Sequence, residues 1–271
     1  MSPRCAPADT AVVRVAGEDA AAFLQGQCSA DLRAVTMTDA LWLNRKGRVL
    51  AHTVIAKEAD GSHLLLCPHL SAEALIAVVT ANVIADDVVA TDESADWRKW
   101  VVWGAEPAIA GAKVFATQRY GVAAWDVLTP IAAVAPGEPA TLSELDAMRI
   151  AAGVPAVPVD CGAHEFPQEC GLDVWVSYTK GCYLGQEVMA RIQSMGSLLR
   201  ILRRVESTDG SSLSAGTELT SVGKVIGKVR SAAGPHGLAL VGLDLPVGTV
   251  CAAVTGGVVL GAPAAVPFAN P

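Results

Sequence analysis

A cation, a thiol and a carboxylate lie close together in residues 180–187, which read KGCYLGQE in a sequence otherwise rich in alanine and valine. The glycines on either side of Cys182 let the backbone take a positive φ or approach a ligand closely, which a residue with a Cβ resists. Lys180 lies two residues from Cys182, near enough to favour the thiolate if both side chains face one space. The alternative is structural: a tight turn before a helix over residues 186–191, with Cys182 as a small buried apolar residue.

The composition predicts an ordered globular protein. Of the 271 residues, 52% are hydrophobic and 17% are charged, a balance that argues against disorder. A chain of this length buries a sizeable core and forms two or three lobes. The formal net charge of −7 argues against a broad electrostatic contact with nucleic acid. We therefore expect no nucleic-acid partner.

The seven cysteines predict neither a disulfide framework nor a metal site. Their number is odd, they are scattered, and the N-terminus lacks the apolar central region of a signal peptide. No C-x-x-C pair is present, and the closest two, Cys161 and Cys170, are nine residues apart, so the usual ligand spacings for zinc or iron–sulfur clusters are missing. We therefore expect a cytoplasmic protein in a reducing compartment, without a metal site of its own.

The end of the chain is long and apolar enough to raise the question of a membrane span. After Asp244 no charged residue follows up to Pro271. Glycines and prolines interrupt this stretch repeatedly, which favours short strands joined by turns. We therefore expect no membrane partner.

Strand and helix patterns alternate along the first two thirds of the chain and predict an α+β fold with antiparallel pairing. The helix that ends at Gly153 begins with a capping box formed by Thr141 and Glu144. From residue 201 onward, short strands separated by glycine-containing turns predict a small all-β domain or barrel. The other predicted elements are strands at 10–16, 40–44, 49–55, 63–67, 88–90, 97–103 and 123–128 and helices at 20–27 and 71–82.

Five stretches, in this order, resemble one known family. Residues 15–32 are similar to the pattern V-x-G-x-D-A-x-x-F-L-Q-G-Q-x-T-x-D-L, and residues 44–51 resemble the hairpin that follows it. Residues 149–155, 166–169 and 180–191 continue the family's order, and K-G-C-Y-x-G-Q-E is its highly specific signature. The sequence thus resembles the YgfZ-type folate-binding proteins, relatives of the glycine-cleavage T-protein (aminomethyltransferase) that are linked to iron–sulfur cluster assembly and repair.

The resemblance implies a T-protein-like α+β fold. Residues 1–200 would form two interleaved α/β lobes around a central folate cavity, with an inserted lobe at about residues 40–130. Residues 201–271 would form a C-terminal antiparallel β-barrel, in agreement with the strand pattern.

The resemblance also implies a set of site residues. Cys182 would be the functional thiol, with Lys180 tuning it. Glu169 would hold the pterin ring, because a carboxylate accepts two parallel hydrogen bonds from the N3–H and 2-amino groups; the alternative is an exposed acid near a proline. The remaining folate contacts would be Gln168, Tyr183, Gly185, Gln186, Glu187, Arg191, Gln25 and Gln27, of which the last two could instead form a solvated helix end.

One departure from the T-proteins decides between functions. Those proteins carry acidic residues after the hairpin glycine, where an acid assists transfer of the aminomethyl unit, and this chain has Ala51 and His52 instead. We therefore expect an accessory protein that binds tetrahydrofolate or a one-carbon derivative and works with iron–sulfur client or assembly proteins. The alternatives are a folate-dependent one-carbon transferase and thiol-redox chemistry at Cys182, with Cys161 or Cys170 as the resolving thiol.

Overall fold

The chain forms two open five-stranded sheets and one closed barrel in a computed structural model that describes residues 2–33, 35–196, 198–254 and 256–267. The strands are β1 (Arg4–Pro7), β2 (Ala11–Ala16), β3 (Met37–Leu43), β4 (Val49–Lys57), β5 (His63–Cys67), β6 (Val89–Asp92), β7 (Arg98–Trp103), β8 (Lys113–Thr117), β9 (Ala124–Thr129), β10 (Glu138–Pro139), β11 (Arg200–Ser207), β12 (Glu218–Ser221), β13 (Lys224–Ala233), β14 (His236–Gly242), β15 (Val250–Ala253) and β16 (Gly256–Pro263). The helices are α1 (Ala20–Gln27), α2 (Ala72–Thr80), α3 (Leu142–Ala152) and α4 (Gln186–Met195), with short 3-10 helices at Ser94–Asp96, Pro167–Cys170 and Asp173–Trp175.

The first sheet has the strand order β3-β4-β5-β2-β6 and is antiparallel throughout. Strand β5 is buried at every position because both of its faces are covered. On one face Leu65 packs with Leu75 of α2, and on the other Leu64 packs with Phe115 of β8. A strand covered on both sides carries an unbroken apolar run, which explains the sequence HLLLC.

The second sheet has the order β10-β1-β7-β9-β8. Its strand β1 precedes the whole first sheet in the chain, so the two sheets are interleaved, and β1 pairs antiparallel with β7. This arrangement confirms the predicted α+β fold class. The division of the chain at residues 40, 130 and 200 stays a prediction, since the first sheet uses strands from residues 11–92 and the second uses β1 with strands from 98–139.

The barrel closes in the order β11-β14-β13-β12-β15-β16, which confirms the predicted C-terminal β-barrel. Its interior is filled by valines and leucines such as Val205, Leu219 and Leu260. On its outer side, Leu202 and Leu240 pack against the segment that follows α3. No helix within the described ranges has the length and apolar character that a membrane crossing requires.

The segment between α3 and α4 contains only two short 3-10 helices and is held between the sheets and the barrel. It begins at Gly153, whose φ of +82° ends α3 in the left-handed conformation. At Gly171, with φ +67°, an added Cβ would lie 2.1 Å from the carbonyl oxygen of Ala264. Only glycine therefore lets the segment lie this close to the chain that leaves the barrel.

We expect Gly171→Ala to lower the free energy of unfolding by about 2–5 kcal/mol, because the backbone strain and the collision with Ala264 add together. Gly210→Ala is the matched control, since Gly210 has φ +75° and no atom lies within 4 Å of the place that an added Cβ would take. Urea titrations measure both variants. An equal loss in the two variants would show that the approach to Ala264 contributes nothing.

Candidate functional site

The stretch 180–187 is held against the hairpin formed by β3 and β4. Gly181 and Gly185 both take positive φ, +99° and +85°. A Cβ at Gly185 would lie 2.9 Å from the carbonyl oxygen of Asn44, so this glycine permits the close contact with the hairpin. The amide of Leu184 also donates to the carbonyl of Gly26 at 3.1 Å. The stretch thereby touches both the hairpin and α1 before α4 begins.

Cys182 is exposed, whereas the other six cysteines are buried. It lies in an open groove of about 580 Å³, here called the Cys182 groove, which is lined by Gly26, Gln27, Arg45 and residues 182–188. The groove therefore brings together six of the predicted site residues: Gln27, Cys182, Tyr183, Gly185, Gln186 and Glu187.

Lys180 points into the protein. Its ammonium donates to the carbonyl oxygen of Cys28 at 2.8 Å and to that of Ala30, and it lies 4.0 Å from the sulfur of Cys28. Burial lowers the pKa of this ammonium. Lys180 thus ties the stretch to the turn after α1, and its predicted effect on the Cys182 thiol stays a prediction.

Glu169 lies at the centre of an ion-pair cluster. It is 4% exposed, and its carboxylate accepts from Arg48 of the hairpin at 3.3 Å and from Arg200 of β11 at 3.2 Å. The amide of Phe166 donates to it at 2.8 Å. These donors come from three parts of the fold, so the carboxylate joins the hairpin, the irregular segment and the barrel.

Two other predicted residues have local side-chain contacts, and a third is exposed. The side-chain amide of Gln168 donates to the hydroxyl of Tyr178 at 3.0 Å. Gln25 closes the turn after α1, because its side chain accepts from the amide of Leu32 at 2.8 Å. Arg191 is exposed on α4. Their predicted contacts with folate stay predictions.

A second and more enclosed space lies between the two sheets, α3 and the barrel. This central cavity has a volume of about 720 Å³. Its walls include His52 of β4, Arg119 and Tyr120 after β8, Arg149 of α3 and Arg230 of β13. None of the residues predicted to bind folate is among the described residues that line this cavity. Most of the predicted residues line the Cys182 groove instead.

The floor of the central cavity carries a stacked aromatic pair. The ring of His52 lies on that of Trp175 with centroids 4.1 Å apart and an angle of 15°. A hydrogen bond of 2.8 Å joins Nε2 of His52 to Asp39. Burial lowers the pKa of His52 despite the favourable effect of Asp39, so the ring is neutral at pH 7. A neutral histidine here offers a flat surface rather than a charge.

Arg119 is a buried cation that lines the central cavity. Its Nη2 donates to both oxygens of Asp126 at 2.7 Å. Burial opposes the charge, but Asp126, Tyr120 and Asp39 raise the pKa of the guanidinium, which stays protonated. Its Nη1 is buried and has no hydrogen-bond partner among the described residues.

Sequence reasoning missed Arg119, Tyr120, Trp175 and Arg230. Each of them is an isolated polar or aromatic residue in an ordinary strand or loop sequence. They come together only because the two sheets and the barrel pack around one cavity. In the described ranges, no three His, Cys, Asp or Glu side chains are grouped so as to hold a metal ion.

Comparisons with known proteins give the relationships of this chain. Residues 198–266 match the family described as the CAF17 C-terminal beta-barrel domain. The human mitochondrial iron-sulfur cluster assembly factor IBA57 is 29% identical over 270 residues, which cover 84% of this chain and 74% of that protein. The chain is a homologue of the IBA57 proteins. It is also related to YgfZ, since the tRNA-modifying protein YgfZ of Colwellia psychrerythraea is 40% identical over 57 residues, 20% of this chain and 18% of that protein.

The fold has a clear structural neighbour. The glycine cleavage system aminomethyltransferase T of Bartonella henselae superimposes with a TM-score of 0.83, covering 96% of this chain and 85% of that protein, at 15% identity. This likeness shows the fold alone, and it confirms the T-protein-like architecture that the sequence predicts.

The predicted cytoplasmic location is wrong. The IBA57 relatives from three organisms are named as mitochondrial proteins, and they point to mitochondria instead. The prediction relied on cysteine usage and on the absence of a recognisable secretory signal, and neither observation separates the cytosol from a second reducing compartment.

We expect a small thiol reagent to label one cysteine of the native protein, Cys182, because burial protects the other six. All seven cysteines of the sequence should react after denaturation. Mass spectrometry after brief iodoacetamide treatment measures the number and position of the labels. Native Cys182→Ala should remain unlabelled, and rapid labelling of any other cysteine in the native protein would contradict this description of the site.

Proposed function

We propose that this protein is an accessory factor of iron–sulfur cluster assembly that holds a tetrahydrofolate or a one-carbon derivative in its central cavity and presents Cys182 to partner proteins. The homology to the IBA57 proteins supports the role in cluster assembly. The observation that carries the proposal is the separation of two sites. The more enclosed central cavity is lined by Arg119, whose Nη1 has no hydrogen-bond partner among the described residues, and a different, open groove contains the exposed thiol.

The residues of the central cavity suit a folate. Its volume of about 720 Å³ falls in the roughly 300–1,000 Å³ range that is usual for small-molecule sites. Trp175 and His52 provide an aromatic surface for a flat ring. Arg119 and Arg230 each keep a buried nitrogen without a partner among the described residues, which suits the carbonyl and carboxylate groups of a folate. A bound tetrahydrofolate would supply a reduced pteridine able to carry a one-carbon unit.

The Cys182 groove suits contact with a protein that carries a cluster. Iron–sulfur clusters are held mainly by cysteine thiolates, usually four per cluster. Cys182 is a single exposed thiol, and the described residues contain no metal-binding group of three side chains. Any bond between Cys182 and a cluster therefore requires further ligands from a client or assembly protein.

The one-carbon transferase alternative is disfavoured by the chemistry at β4. Transfer needs a group that exchanges a proton with the substrate amine. Ala51 has no such group, and His52 is buried, bonded to Asp39 and stacked on Trp175. The cavity thus binds and orients a ligand more readily than it catalyses a transfer.

The thiol-redox alternative is disfavoured by burial. Cys161 and Cys170 lie in the main core and have no exposed surface. Burial raises the pKa of the Cys161 thiol well above its ordinary value. Neither thiol is therefore available to resolve a disulfide at the exposed Cys182 without opening the core.

We expect purified protein to bind tetrahydrofolate in a calorimetric titration at one site per chain. Trp175→Ala should weaken binding about tenfold, because the stacking surface is lost. The matched control is Trp125→Ala, a half-buried tryptophan of the second sheet that does not line the cavity. An unchanged affinity in Trp175→Ala would remove the central cavity as the site.

We expect Cys182→Ala to fold normally and to bind tetrahydrofolate, because the thiol is exposed and lies outside the central cavity. The same variant should fail to restore iron–sulfur enzyme activity in cells that lack the protein. Cys251→Ala, which alters a cysteine buried in the barrel, is the control and should restore activity. Full rescue by Cys182→Ala would show that the thiol has no functional role.

A further inference from the structure

The group expected to read the pterin ring is absent from the central cavity. Glu169 is bound to Arg48 and Arg200, and it is not among the residues that line the cavity. Two carboxylates do line the cavity, those of Asp9 and Asp146, and Asp146 is paired with Arg149 at 2.6 Å. Arg119 also lines the cavity, and its buried Nη1 has no hydrogen-bond partner among the described residues.

This donor has the character of a ligand contact. Arg119 is 6% exposed, so its free nitrogen cannot be satisfied by bulk water at the surface. Leaving a buried donor unpaired costs about 1–3 kcal/mol, and more when the group is charged, so native proteins rarely do so without a reason. The other nitrogen, Nη2, is held by both oxygens of Asp126, which fixes the plane of the guanidinium.

The chemistry of a pteridine ring distinguishes its edges. In a folate, C4 carries a carbonyl oxygen that accepts, whereas the 2-amino group and N3–H donate. A carboxylate matches the donating side, and a guanidinium, which has only donors, matches the carbonyl. The neutral His52 and Trp175 supply the flat surface, and they carry no charge that would compete with Arg119 for the ring.

We propose that Arg119 reads the C4 carbonyl of a bound pteridine through Nη1, so that the cavity selects 4-oxo over 4-amino pteridines. This inference rests on the proposed folate site and makes Arg119 its specificity-determining residue. Asp126 positions Arg119 and does not contact the ligand.

The ligand itself provides a test that leaves the protein unchanged. Folic acid carries an oxo group at C4 with a proton on N3, whereas aminopterin carries an amino group at C4 and an unprotonated N3; the two molecules are otherwise identical. Calorimetric titration of the wild-type protein should show aminopterin binding about tenfold or more weakly, because its amino group presents a donor to a donor. Equal or tighter binding of aminopterin would overturn the proposal and would indicate that a carboxylate such as Asp146 reads the ring.

A variant pair then assigns the effect to Arg119. Arg119→Lys keeps a cation beside Asp126 but removes the second nitrogen, so the preference for folic acid over aminopterin should fall to about twofold or less. Arg203→Lys is the matched control, because Arg203 is also buried with unpartnered nitrogens but does not line the cavity. It should keep the full preference.

The outcomes separate this inference from the proposed function. Tetrahydrofolate binding without discrimination between folic acid and aminopterin leaves the folate site in place and rejects the role of Arg119. The same holds if the preference persists in Arg119→Lys. Failure of tetrahydrofolate, folic acid and aminopterin alike to bind rejects both proposals. Circular dichroism melting curves of both variants verify that they are folded.

Discussion

Three buried carboxylates in the segment after α3 hold the structural units together. Asp160 accepts from Arg149 of α3 at 2.7 Å, Glu165 is paired with Arg230 of the barrel, and Glu169 is bound by arginines of the hairpin and of β11. All three are almost fully buried. A buried charge without its partner costs several kcal/mol, so each arginine must arrive where its carboxylate lies. The relative positions of α3, the hairpin and the barrel follow from this requirement.

The same segment separates the two candidate sites. Its ion pairs with Arg149 and Arg230 form part of the wall of the central cavity. Its Glu169 instead pairs with Arg48 of the hairpin that contacts residues 180–187. A ligand in the cavity and a partner at the groove would therefore contact different faces of one rigid core. This arrangement is consistent with a protein that binds a small molecule in one place and meets other proteins in another.

The chain shares its architecture with an aminomethyltransferase but lacks the acidic residues of the T-proteins at two positions. The fold superimposes over nearly the whole chain, yet the hairpin strand carries Ala51 and a neutral His52 where T-proteins have acids. The central cavity is lined by paired arginines and an aromatic stack, and its β4 wall carries no acid at these two positions. Cys182, in its groove, is the one exposed thiol among the seven cysteines of the protein.

The sequence by itself determined the fold class, the C-terminal barrel, the capped helix α3 and the relationship to YgfZ, because periodicity, turn residues and a dense motif are local properties of the chain. It also singled out Cys182, whose functional role stays a prediction. The short strands β1 and β8 were missed, since pairing with other strands decides whether such segments become strands: β1 pairs with the distant β7, and β8 is an edge strand that pairs with β9. Tertiary structure alone decided that Lys180 faces Cys28, that Glu169 is an ion-pair centre and that Arg119 keeps a buried nitrogen without a partner among the described residues. The physical reason is that burial and pairing of a charge depend on tertiary neighbours: Cys28 and Arg48 lie more than a hundred residues from Lys180 and Glu169, and no local pattern records them.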